Sequence, residues 1–234
     1  MDGLSVVIAA RNESARLPAL LAQLAEQPAL VREVLVVDGG SRDATALVAR
    51  LAGARLLRCT PGRGRQLALG AAEARGAWLM LLHADVRLPR HWSARIARAI
   101  GAHSVQPAAA PARAWYFDLA IEGRNPALRL VELGTALRSR WLQLPYGDQG
   151  LLLSRDLYDA VGGMRPLPLM EDLELVQRLR RQARLRSLGA DLQVDGSRWR
   201  RLGVWRTTLT NARLRRAWRR GEPLELLERR YYGR

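Results

Sequence analysis

The chain of 234 residues carries 38 basic side chains against 22 acidic ones, a formal net charge of +16, and every basic residue is Arg. An apolar fraction of 48% with 26% charged residues is that of a globular protein long enough to bury a substantial core, so disorder is not the leading description. The single Cys59 excludes an intrachain disulfide and reads as a small buried apolar residue. No apolar run approaches the ~18 residues of a spanning helix, so the expectation is a cytoplasmic protein, soluble or at most peripheral at the inner face of a membrane. Asp2 and the Arg11 that follows the first apolar run do not read as a signal peptide. Arg binds phosphate and carboxylate in a planar fork, so its excess points to an anionic partner: nucleotide, nucleic acid or acidic membrane surface.

In chain order, residues 4–10 predict a buried strand, and a helix is expected from about Ser14, its cap, with Leu17, Leu20, Leu21 and Leu24 at helical spacing. Residues 34–37 predict a second strand closed by Asp38-Gly39-Gly40-Ser41, and Asp43 opens a helix to Leu51. Residues 55–58 give a short third strand, and residues 60–65 a glycine-spaced basic loop entering an alanine-rich helix to Arg75. The apolar run Leu79-Met80-Leu81-Leu82 then predicts a fourth buried strand that stops abruptly on His83-Ala84-Asp85.

Beyond Pro89 the pattern loosens. Residues 91–100 read as helix, 106–111 as a Pro/Ala loop and 114–118 as an edge strand. Residues 126–142 read as a helix with Leu128, Val131, Leu133 and Leu137 inward, and 150–153 as a strand. Met170 opens an amphipathic helix ending near Arg184, and the Arg- and Trp-rich remainder from Ser197 reads as helical. Alternating strands and helices predict an α/β chain with a mostly parallel central sheet covered on both faces.

If strands one, two and four are parallel, Asn12, Glu13, Asp38, Asp43 and Asp85 meet on one edge of the sheet, where open α/β sheets bind ligands. Taken singly, Asn12 and Asp38 read as turn formers, Asp43 as a helix cap and Asp85 equally as turn or ligand; their convergence favours a site. The loop Gly62-Arg63-Gly64-Arg65 can hold phosphate with amides and guanidinium groups, although it matches neither a P-loop nor a dinucleotide fingerprint. Glu171 and Asp172 suit the macrodipole of their helix. They also follow Gly162-Gly163, Pro166 and Pro168, a flexible approach able to deliver a general base.

These segments resemble a family. Ser5-Val6-Val7-Ile8 with Arg11-Asn12-Glu13, residues 36–45, Leu82-His83-Ala84-Asp85 and Met170-Glu171-Asp172 resemble the family-2 glycosyltransferases of GT-A, Rossmann-like three-layer fold. Residues 145–150 and 167–172 look like the bacterial branch found beside radical-SAM and selenium-associated proteins. The resemblance runs from Ser5 to about Asn211. It implies inverting transfer of a sugar from a nucleotide-sugar, usually a UDP-sugar, to a nucleophilic acceptor with Mn2+ or Mg2+. On that resemblance Asp38 with Gly39 holds the nucleoside, and Ala9, Ala10, Arg11 and Glu13 line the nucleotide pocket. Asp85, beside Ala84, matches the last acid of the Asp-any-Asp metal motif. His83 stands at its first acid and is open to ligating the metal, contacting the donor or serving only the fold. Asp172 matches the catalytic base, with Glu171 orienting it or touching the acceptor. Arg63, Arg65 and Arg198 are candidate diphosphate partners, Ala68 stands where relatives often carry Asn, and Asp148 and Gln149 match the acceptor-side motif.

The chain is read as one domain: a nucleotide-binding half over about 1–88, an acceptor half over about 89–196 and a basic helical tail over about 197–234. The acceptor is unnamed by this reading, and a lipid-linked one is compatible with it. The rival reading is a basic peripheral membrane or nucleic-acid-binding protein on the same scaffold without transfer activity, carried by Arg and Trp interleaving from Ser197 to Trp218. Of its two partners, nucleic acid is disfavoured.

Overall fold

A computed structural model describes residues 3–105 and 111–232, so the expected Pro/Ala loop lies outside the described residues except for Pro111. The amino-terminal half follows the expected alternation. It runs β1 (Leu4–Ala10), α1 (Leu17–Ala25), β2 (Val31–Asp38), α2 (Thr45–Leu51), β3 (Arg55–Arg58), α3 (Arg63–Glu73), β4 (Trp78–His83), β5 (Val86–Arg87) and α4 (Trp92–Ser104). The second half runs β6 (Ala112–Ile121), α5 (Pro126–Trp141), a 3-10 turn (Gly147–Gln149), β7 (Leu151–Ser154), α6 (Arg155–Ala160), α7 (Glu171–Gln182) and β8 (Ala183–Val194). Three helices, α8 (Ser197–Leu202), α9 (Val204–Arg219) and α10 (Leu224–Tyr232), close the described chain.

The strands form one sheet in the order β3-β2-β1-β4-β7-β6-β8-β5. β1 pairs in parallel with β2 and β4, and β2 with β3, so the carboxyl ends of the first four strands share one edge. The other half is mixed: β7 runs antiparallel to β4 and β6, β6 parallel to β8, and β5 antiparallel to β8. β1 is buried throughout, Ser5 included, because both of its faces are covered. Val6, Ile8 and Ala10 face one core, and Val7 and Ala9 the other, as the two-residue period requires.

Several expectations are corrected. Ser14 does not cap α1, which starts at Leu17 with Pro in its first turn; the Ser14 amide donates instead to Asp43. Residues 114–118 belong to an interior strand, β6, where Tyr116 and Phe117 are fully buried. On α5, Leu128 is buried and Val131 packs on the core, but Leu133 and Leu137 are exposed. The helix expected to reach Arg184 ends at Gln182, because Ala183 starts β8. β8 and β5 were not legible in the sequence. Along β8 the buried positions run Ala183, Leu185 and Leu188, then Leu192 and Val194. The pairing with β6 slips near Gly189, at φ +66°, and the covered face changes along the strand: Ala183 and Leu185 pack on one core, Leu188, Leu192 and Val194 on the other.

The helical tail is packed. Leu169, just before α7, buries against Leu214 and Ala217 of α9 and Leu227 of α10, a small third core that fastens the tail over the strand edge.

Candidate active site

The loops after β1 and β2 are laced by short polar side chains. Asn12, in the left-handed region at φ +56°, accepts from the Arg42 amide at 2.8 Å, while its own amide donates to the Ser41 hydroxyl at 2.9 Å. Thr45 accepts from the Glu13 amide at 2.8 Å, and Asp43 accepts from the amides of Ser14 and Thr45 at 3.1 and 3.0 Å. Hydrogen bonds, the Thr45 hydroxyl first, hold the Asp43 carboxyl well below the usual carboxylate range. Asp43 therefore ties loops together and accepts from the first amide of α2, whose N-cap position is Ala44. Asp38 is buried at the end of β2 and spends Oδ1 on the Ser41 amide and hydroxyl, at 2.9 and 2.6 Å.

Gln66 braces this edge from α3, a role for which the sequence offered no motif. Buried under Gly39, its Nε2 donates to the carbonyls of Ala10 and Val37 at 2.8 and 2.7 Å. A Cβ on Gly39 would stand 2.9 Å from the Gln66 amide, so glycine is required there by close approach. Ala9, Ala10 and Ala84 bury their methyl groups, which leaves their backbone as what they can offer a nucleotide. Arg11 is exposed beside this edge.

A cavity of about 370 Å³ opens next to it. Glu13, His83, Asp85, Asp148 and Asp172 line it from the sheet side, Arg63 from the start of α3, and Arg198, Arg215 and Tyr231 from the tail. Of the expected diphosphate partners, Arg63 and Arg198 reach it. Arg65 is exposed and donates to the Pro61 carbonyl instead, and Ala68 packs on the core beneath α3. The sequence reading missed Tyr146, whose ring holds the Arg138 guanidinium 3.6 Å and that of Arg215 5.1 Å from its centroid. Tyr231 likewise lies 4.1 Å from Arg198. An Arg-rich composition hides such pairs, because every stretch offers candidates.

Asp172 sits in the first turn of α7, entered through Met170 at φ +63°. Its Oδ2 accepts from the Gly147 amide at 2.7 Å and its Oδ1 from the Leu173 amide at 2.7 Å, which fixes the carboxylate toward the cavity. A Cβ on Gly147 would lie 3.1 Å from His83 Nε2 and 3.2 Å from Asp172 Oδ2, so those two side chains meet over this glycine. Glu171 turns away from the cavity lining and is buried, with Oε1 3.4 Å from Arg63 Nε. Burial outweighs that cation and pushes its carboxyl up to about 7. Burial with the neighbouring Asp85 does the same for Glu13, also to about 7.

Burial, then Arg63, lowers His83 to about 4, so its imidazole is neutral at pH 7. His83 Nε2 is buried with no hydrogen-bond partner, and so is Asp148 Oδ1. Among the described residues no group of three His, Cys, Asp or Glu side chains converges on one point. A neutral imidazole with an unspent nitrogen and the Asp85 carboxylate in the same cavity still fit a divalent cation completed by a donor's phosphate oxygens. Asp148 is raised by burial against the opposing pull of Arg138. Gln149, expected beside it toward the acceptor, has no exposed surface: Oε1 accepts from Ser139 Oγ at 2.8 Å, and Nε2 donates to the Phe117 carbonyl at 3.0 Å. It braces the turn behind the cavity.

Acids gathered at the parallel strand ends, under a mixed half-sheet and its helices, define the GT-A, Rossmann-like fold. The family model described as glycosyl transferase family 2 matches residues 5–167, and the chain belongs to that family. Glu171 and Asp172 lie just beyond the matched stretch. A 4,4'-diaponeurosporenoate glycosyltransferase of Staphylococcus haemolyticus is 39% identical over 95 residues, 37% of this chain and 25% of the relative. Glucosyl-3-phosphoglycerate synthase of Mycobacterium tuberculosis, in complex with Mn2+ and UDP-glucose, superposes with a TM-score of 0.58 at 20% identity, over 80% of this chain and 70% of that one. TarS 1–349 of S. aureus gives 0.64 at 18% identity, over 82% and 60%. This chain thus spans less than two thirds of TarS 1–349 and about a quarter of the Staphylococcus haemolyticus relative.

Proposed function

We propose that this chain transfers a sugar from a nucleotide-sugar, a UDP-sugar, to a nucleophilic acceptor with the help of Mn2+ or Mg2+. The observation that carries the reading is that Asp172 faces His83 and Asp85 across one cavity, its carboxylate held by the Gly147 amide. Family membership and the solved complex of a fold relative with Mn2+ and UDP-glucose support it. Asp38 and Gly39 serve the nucleoside, and Glu13 with the backbone of residues 9–11 the rest of the nucleotide pocket.

In the reaction, an acceptor oxygen attacks the anomeric carbon while the bond from that carbon to the diphosphate oxygen breaks, its electron pair leaving with the nucleotide. The acceptor proton passes to the Asp172 carboxylate. A carboxylate on one side of the sugar and the diphosphate on the other suit a single displacement with inversion. When bound, the cation supplies neutralisation of the charge that builds on the diphosphate, and Asp85 with His83 would hold it. Arg63 and Arg198 add positive charge to the same cavity, and Glu171 keeps Arg63 in place. Asp148 stands on the acceptor side.

Calorimetric titration of UDP, GDP and dTDP, each with Mn2+ and with chelator, tests the donor half. UDP is expected to bind only with metal, and Asp85→Ala to abolish that binding. Asp172→Asn should keep UDP affinity within about twofold while UDP release from UDP-glucose falls by about 100-fold or more, the size expected for loss of a general base. Equal UDP affinity with Mn2+ and with chelator, or equal loss of binding and turnover in Asp172→Asn, would overturn the assignment.

A further inference from the structure

Helix α5 is amphipathic in the unexpected sense. Its buried side includes Thr135 and Ser139, whereas Leu130, Leu133, Leu137 and Trp141 stand in solvent, 58%, 56%, 40% and 78% exposed. Spacings of three and four residues put these four on one stripe. Neighbouring α9 repeats the pattern: Trp205 and Leu209, one turn apart, are 57% and 54% exposed. Scattered exposed Leu needs no explanation, but ordered stripes on two adjacent helices mark a surface that something covers.

The charge beside the stripes says what kind of surface that is. Residues 197–221 hold nine Arg and no Asp or Glu, and Arg206, Arg213 and Arg216 are exposed on α9 together with Trp205 and Leu209. On α5 the single acid, Glu132, is occupied by the Ile121 amide and by Arg129. We propose that α5 and α9 dock this protein onto an anionic lipid bilayer. The Leu and Trp side chains enter the boundary between headgroups and acyl chains, while the Arg heads stay with the lipid phosphates. A second copy would set one acid-free Arg field against another, with no opposing charge to pair. A nucleic acid would satisfy the Arg residues but give the aliphatic stripe nothing to pack on. No helix among the described residues is long and apolar enough to cross the membrane, so the contact lies in the plane of the surface. Because α9 also lines the candidate site with Leu214 and Arg215, docking brings that cavity to within about one helix diameter, ~10–12 Å, of the lipid.

The test is flotation of the full chain with phosphatidylcholine vesicles, with and without phosphatidylglycerol, for wild type and for the double variants Leu133→Ser/Leu137→Ser and Trp205→Ser/Leu209→Ser. All four positions are exposed, and unchanged melting temperatures check that the variants fold. Wild type should bind vesicles containing phosphatidylglycerol. Each double variant should lower that partitioning by about tenfold or more, since two half-exposed apolar side chains lose their burial. The proposal is overturned if wild type does not bind these vesicles, or if the double variants bind as wild type does, which would mean Arg adsorption alone. It is equally overturned if the substitutions dissociate a dimer in analytical ultracentrifugation or weaken oligonucleotide binding instead of lipid binding.

Discussion

Gln66→Met removes the amide that joins the ends of β1 and β2 while keeping side-chain length and volume close to the original. Gln66 Nε2 donates to two buried carbonyls, Ala10 at 2.8 Å and Val37 at 2.7 Å. Both carbonyls lie at the paired ends of β1 and β2, and the Ala10 carbonyl keeps the Gly39 amide at 3.0 Å. Two buried hydrogen bonds are lost at about 0.5–1.5 kcal/mol each, so about 1–3 kcal/mol is the expected loss of stability. Urea unfolding of both proteins measures it, with an unchanged m-value confirming that the folded and unfolded states remain comparable. UDP affinity should weaken in the same variant, because the two loops at the nucleotide edge lose the tie behind them. A change below about 0.5 kcal/mol would refute the reasoning, since net hydrogen-bond contributions smaller than that are indistinguishable from a solvated pair.

Glu171 gives a pH signature. Its carboxyl is raised to about 7 in the folded protein from the usual 4.5, so the folded state binds more protons than the unfolded one between those values. Stability therefore falls as pH rises from about 4.5 to 7. Glu171→Gln should remove a fall on the order of 2–3 kcal/mol, leaving the part due to Glu13, which is raised in the same direction; denaturation midpoints across that range would show it. Asp43 carries the opposite sign: its folded carboxyl is lowered, so its contribution is complete above about pH 4 and is lost on acidification. Asp43→Asn should blunt acid unfolding in a pH titration followed by circular dichroism, and an identical acid limb would sink its role in tying the loops. Gly64→Ala places a methyl 2.5 Å from the Leu167 carbonyl and 2.8 Å from that of Arg165, both rigid backbone. It should cost about 1–3 kcal/mol in urea and reduce turnover by displacing the approach to Asp172; wild-type stability would show that the segment yields freely.

The parallel half of the sheet was legible because strands buried on both faces read as unbroken apolar runs, and β1 and β4 do so. β8 was hidden because its buried face changes from one core to the other between Leu185 and Leu188, and β5 by having only two residues. On α5 a sequence cannot separate an apolar face turned inward from one turned outward, since the spacing of Leu133 and Leu137 is the same for both. Among the site candidates, Asp85, Asp172, Asp148, His83, Glu13, Arg63 and Arg198 come together at the cavity. Gln149, Glu171 and Arg65 share its loops without lining it, because neighbours in sequence point to different sides of a turn.

Local pattern alone set the alternation of strands and helices and, through parallel pairing, the edge on which the acids gather. Family motifs supplied the candidate roles of Asp85 and Asp172. Tertiary structure decided what surrounds them: the tail folded over the site by Leu169, Leu214 and Leu227, the Gly147 amide on Asp172, and the unspent His83 nitrogen. Gly147 and Asp172 are 25 positions apart and Leu169 and Leu214 are further, and the energies of such contacts depend on burial and approach distance, which no local spacing encodes.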